Sequence, residues 1–252
     1  MKIISSPAKL MTIENTVNIL RKSSPKFIEE AQQIQKHLKE KSPDFLMKLM
    51  DISVKLADEN WERNQNWNAK PKSKESSAAL YAFTGEVYRG LNAKTLDEKS
   101  VAYLQKNYSI LSGLYGLLKP SDHIMLYRLE MGRNFEFDGY KNLYQFWREK
   151  LTNYLNSEIK KDEILLNLAS TEYIKAVDEK NLKGKLINCH FYELKSGKPK
   201  QIVVYTKHAR GLMIRYCAEN NVKNLEEIKG FNYEKYLFDD QLSSENNLVF
   251  TR

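Results

Sequence analysis

Cysteine is almost missing: Cys189 and Cys217 are the only two in 252 residues, and neither stands in a Cys-x-x-Cys pair. That excludes a disulfide scaffold and a thiolate zinc module, and fits reduced core thiols of a cytoplasmic chain. Histidine is scarce as well. His37, His123, His190 and His208 show no His-x-x-x-His or His-Glu-x-x-His spacing, so no metal site is expected and no cofactor is assigned. Ten glycines and six prolines are too few for a low-complexity chain. No window approaches the ~20 apolar residues of a membrane span. The opening MKIISSPAK lacks the apolar stretch of a secretion signal, so a cytoplasmic protein without a membrane partner is expected.

Acidic residues are the remaining deficit: 32 Asp and Glu face 40 Lys and Arg, for a formal charge of +8. Such a balance attracts polyanions, nucleic acid first, although a solvated lysine-rich surface has the same composition. With 42% hydrophobic and 29% charged residues the chain is otherwise an ordinary globular one, long enough for a sizeable core.

MKIISSPAK reads as a short strand, Lys2–Ser5, entering a turn. Ser24-Pro25 and Ser42-Pro43 each offer an N-cap serine with proline at the first helical position. The second of these helices has Phe45, Leu46, Leu49, Met50, Ser53 and Leu56 on one face. Residues 61–77 are polar and basic and read as an exposed loop. A helical stretch follows at 76–90, broken near Gly85. Thr95 and Glu98 suggest a capping box for a helix carried by Val101, Leu104, Tyr108 and Leu111. LYQFWREKLTNYLNSEI is amphipathic, and EILLNLAS is a strand whose Ser170 can cap the next helix. KLINCHFYEL and QIVVYTKH flank KSGKPK as a hairpin, ARGLMIRYCAENN is a helix, and LVFTR closes as a strand. Interleaved helices and strands with at least one antiparallel pair predict one mixed α/β (α+β) domain spanning residues 1–252.

Chemistry-bearing residues are unevenly spread. Residues 195–215 hold Lys195, Lys198, Lys200, Lys207, Arg210 and Arg215 with no Asp or Glu. Cations at a helix N-terminus oppose the macrodipole, yet the same place suits an anion. A solvated hairpin tip is the alternative. Lys9, in SSPAK after the first strand, can reach a phosphate or carboxylate, but the segment lacks the glycines of a P-loop. Glu86, Glu130 and Glu172 are carboxylates in motif-like settings and would serve as acid or base only if the fold joined them. In LSGLYGLLKP, Gly113 and Gly116 lie three apart in an apolar run. Either they pack a tight turn, or they bare the backbone to a ligand.

Taken together, ISSPAK, FTGEVYRGL, LSGLYGLLKP with YRLEMG, LYQFW, NLASTEY, KHARGLMIR and GFNYEKYLFDDQLSSENNLVF resemble, in this order, the YaaA peroxide-stress-protein family. The likeness runs from residue 3 to the C-terminus. It implies a cytosolic bacterial protein that protects against hydrogen peroxide, an effect linked to lower free intracellular iron. It also implies double-stranded DNA binding by a basic cleft and a helix-hairpin-helix-like element. That element falls on LSGLYG, entered from a helix at 96–111, with Leu114 and Tyr115 between glycines that such hairpins commonly separate by one residue. The expected DNA-binding set is Lys9, Gly113, Tyr115, Gly116, Lys119, Lys198, Lys200, Lys207, Arg210 and Arg215. The competing reading is an enzyme acting on a nucleobase, nucleotide or damaged DNA through Glu86, Glu130 or Glu172. An iron-sequestering or recruiting protein is the third.

Overall fold

Short apolar runs supply the centre of the molecule. Strands β1 (Lys2–Ser5), β2 (Tyr108–Ser112) and β3 (Gly116–Leu118) precede β4 (Ile164–Leu168), β5 (Lys185–Lys195) and β6 (Lys198–Lys200). Strands β7 (Leu237–Phe238) and β8 (Asn247–Thr251) close the chain. Every residue of β2 is buried, as are four of the five in β4, the pattern of strands covered on both faces. The computed structural model describes residues 1–14 and 21–252.

These strands form one mixed sheet in the order β7-β8-β5-β4-β1-β2-β3, with β6 paired to β5. Strand β1 runs parallel to both β2 and β4, and β5 runs parallel to both β4 and β8. The C-terminal ends of five strands therefore share one edge of the sheet, where ligands of open α/β sheets gather. One apolar cluster runs from Ile3 to Phe250, so the mixed α/β architecture is built on a common core. Among the described residues, no helix is long and apolar enough to cross a membrane.

Several local expectations hold. Ser42 caps helix Pro43–Met50 by accepting from Phe45 N at 3.2 Å, and KSGKPK turns a hairpin in which Ser196 and Gly197 both have positive φ. Others change. The first helix starts at Ile28 with Phe27, not Ser24, at its N-cap and no side-chain cap, three residues beyond the expected start at Pro25. Helix Pro43–Met50 stops at Asp51, in the left-handed region, and Ser53 caps a second helix, Val54–Asn66, which takes Leu56 and the first six residues of the expected loop. Asp97 rather than Thr95 caps helix Glu98–Asn107, since Thr95 Oγ1 donates to Asn92 O. That helix ends before Tyr108, where β2 begins. VVYTKH is helical, not a strand, and forms the start of helix Val203–Glu219.

Candidate functional site

LSGLYG is a β-hairpin turn between β2 and β3, not a helix-hairpin-helix, and residues 111–118 are all buried. A Cβ on Gly113 would strike the Leu129 carbonyl, and one on Gly116 (φ +67°) would lie 2.6 Å from the Trp147 ring. Trp147 Nε1 donates to Gly113 O at 2.9 Å. The Tyr115 hydroxyl accepts from Trp67 Nε1 and Met125 N, and Tyr115 N donates to Ser112 Oγ. Both glycines and Tyr115 are therefore engaged in packing, with their backbone buried.

The C-terminal edge of the sheet is a polar seam instead. Ser5 Oγ lies 2.6 Å from the Tyr108 hydroxyl, and Ser112 Oγ lies 2.6 Å from that of Tyr127. Tyr88 donates to Ser6 O, while Ser6 Oγ accepts from Ser170 N at 2.9 Å and ties β1 to the end of β4. Burial pushes the Tyr88, Tyr108, Tyr127 and Tyr173 hydroxyls well above their ordinary range, so they act as neutral hydrogen-bonding groups. Farther along, Asn167 Nδ2 donates to Asn188 Oδ1 and Asn188 Nδ2 donates to Asn247 Oδ1, a ladder across β4, β5 and β8.

Carboxylates stand beside this seam with partners of their own. Buried Glu130 Oε1 meets Arg128 at 3.2 Å, Arg133 at 3.4 Å and Lys9 at 3.5 Å. Glu172 accepts from Gly132 N, and Glu86 pairs with Arg89 and faces His208 Nδ1 at 3.9 Å. Three different partner sets hold the three carboxylates.

The expected cations divide. Lys9, Lys198, Lys200 and Lys207 are exposed. Strand β5 runs on past the end of β4 to Lys195 and carries the Lys198–Lys200 tip outward from the C-terminal edge. Lys207 comes to that edge on helix Val203–Glu219: the next residue, His208, faces Glu86, and a Cβ on the neighbouring Gly85 would lie 3.7 Å from Ala8, beside Lys9. The other three are turned to structure. Lys119 pairs with Glu158 at 2.8 Å near Lys2, at the opposite end of β1. Arg215 clamps Leu91 O, Asn92 O and Thr95 Oγ1 and pairs with Glu219. Arg210 points inward and lines a cavity of about 650 Å³. Its Nε is enclosed without an acceptor, and burial lowers the guanidinium's affinity for its proton.

Sequence reasoning missed Arg133, the asparagine ladder and the tyrosine cluster, whose members come from separate segments. It also missed Glu234, which binds His208 at 2.9 Å and Arg252 at 3.0 Å and has a positive φ of 48°. A non-glycine residue held in that region marks a constrained position, and the string NYEKY was its only sequence signal.

A family model described as "Peroxide stress protein YaaA" matches residues 1–242. A UPF0246 protein of Flavobacterium johnsoniae is 46% identical over 252 residues, covering all of both chains. A UPF0246 protein of Marinomonas sp. is 44% identical over the whole of this chain and 97% of its own. One from Neisseria meningitidis serogroup C is 41% identical over the whole chain and 98% of its own. With a family match over nearly the full length and relatives of this identity, the chain belongs to the YaaA family of peroxide stress proteins.

Proposed function

We propose that this peroxide stress protein binds double-stranded DNA through phosphate contacts made by the basic C-terminal edge of its sheet. The observation that carries this reading is the set of exposed cations there: Lys9, Lys198, Lys200 and Lys207. Lys198, Lys200 and Lys207 form no ion pair among the described residues, and the net charge of +8 favours approach to a polyanion. The lysine tip on β6 projects from the sheet and can follow a duplex backbone without reading base edges, which makes the contact independent of sequence. Gly113, Tyr115, Gly116, Lys119, Arg210 and Arg215 have no part in it. The lowering of free iron is proposed as a consequence in the cell, with no ligand set assigned to it. Among the described residues, no three His, Cys, Asp or Glu side chains converge as metal ligands.

The test is a titration of duplex DNA at 50 mM and 200 mM salt. Binding at the lower concentration that weakens steeply at the higher one is expected. No binding at low salt, or affinity indifferent to salt, overturns the reading.

A further inference from the structure

Arg210 lies in a setting that DNA binding does not explain. It lines the 650 Å³ cavity together with Arg148, Lys175, Asn167, Asn188 and His190, beside the C-terminal end of β4 and the first half of β5. Among the described residues it forms no ion pair, and its Nε meets no acceptor. Withdrawing even part of a guanidinium from water without a counter-charge is costly, and proteins ordinarily supply a carboxylate for it. The neighbouring thiol does not fill that place: burial pushes Cys189 up and keeps it neutral.

The remaining walls are arranged for a ligand. Asn188 and Asn167 are fixed by their ladder. The amide oxygen Asn247 Oδ1 accepts from His190 Nε2 at 3.2 Å, which fixes the imidazole ring. Arg148 is steadied by donating to Lys175 O at 3.3 Å. The lining carries four cations against two carboxylates, and the carboxylate of Asp178 is occupied by Lys180 N and Asn181 Nδ2. An excess of this size suits the near-dianionic charge of a phosphate monoester better than a single carboxylate. The volume is that of pockets for small molecules rather than for a polymer.

We propose that this cavity binds a phosphorylated small molecule, with the half-buried Arg210 as the phosphate-recognising residue and Arg148 and Lys175 closing over the same group. None of the exposed lysines proposed for DNA lines this cavity.

Inorganic phosphate is the probe, applied to the full chain without DNA. At ~20 mM, against chloride at matched ionic strength, it is expected to raise Tm by about 2–4 °C. Arg210→Met is expected to abolish the shift, and the double variant Lys198→Ala/Lys200→Ala to keep it. No shift in the unmodified protein, an equal shift in Arg210→Met, or a shift lost with the two lysines overturns the proposal. Should Arg210→Met fail to fold, Arg210→Lys keeps the charge but loses the planar fork. It is then expected to halve the shift at least, and an undiminished shift overturns the site. Loss of DNA binding with the phosphate response intact would overturn the DNA reading alone.

Discussion

At the scale of single residues, the two glycines of LSGLYG separate packing from contact. Gly116 has a left-handed backbone and faces the Trp147 ring, while Gly113 lies against the Leu129 backbone. An added methyl at Gly116 has nowhere to go, because Trp147 is itself fully buried and bonded to Gly113 O. Overpacking of this kind costs ~1–3 kcal/mol, and left-handed strain adds roughly 1–2 kcal/mol. Gly116→Ala should therefore lower unfolding stability by about 2–5 kcal/mol in urea titration. The fraction that stays folded should bind duplex DNA as the unmodified protein does. A folded variant with weakened DNA binding would return the turn to a contact role. Spacing alone left this choice open because a backbone approached by a ring and one approached by a phosphate need the same missing side chain.

Between elements the same economy recurs where helices Glu86–Leu91 and Val203–Glu219 cross. A Cβ on Gly90 would meet the His208 carbonyl, and one on Gly211 would meet that of Val87, so the two backbones touch. This crossing brings Glu86 to His208 and sets the angle at which Lys207 and Arg210 leave their helix. Gly211→Ala should push the helices apart and lower Tm. On the same footing as Gly116→Ala, the loss is about 1–3 kcal/mol. An unchanged Tm would mean that the crossing relaxes freely. The glycines of FTGEVYRGL and KHARGLMIR were legible as motifs, but their partnership was not, since 121 residues separate Gly90 from Gly211. The misread elements have the same cause. Tyr108 and Leu111 keep helical spacing with Leu104, yet YSILS is buried on both faces between β1 and β3, and the sheet overrides the period. VVYTKH is β-branched and reads as a strand, but after the three-residue β6 the chain turns into a helix that packs on β5. Strands built on a short apolar run, such as Ile3-Ile4 in β1 and Ile164–Leu166 in β4, and hairpins with turn chemistry, such as KSGK, could be read locally. The seam, the asparagine ladder and the Arg210 cavity could not, because parallel pairing assembles each of them from distant segments.

For the whole molecule, the polarity of the sheet decides which charges act together. Five strand ends share one edge, so cations from residues 9, 198, 200 and 207 collect there, while Lys119 remains beside Glu158 at the other end of β1. Phosphate binding by such an edge releases counterions, and log K falls with log salt by about 0.9 per phosphate neutralised. Removing Lys198 and Lys200 together should reduce that slope by up to about 2 and weaken binding to all duplex sequences alike. Lys119→Ala should leave the slope as it is, since that charge is balanced by a carboxylate 2.8 Å away. Titrations of the three proteins on two unrelated duplexes, each over a salt series, measure both quantities. A slope insensitive to the tip lysines but lowered by Lys119→Ala would place the nucleic-acid surface at the opposite end of the sheet.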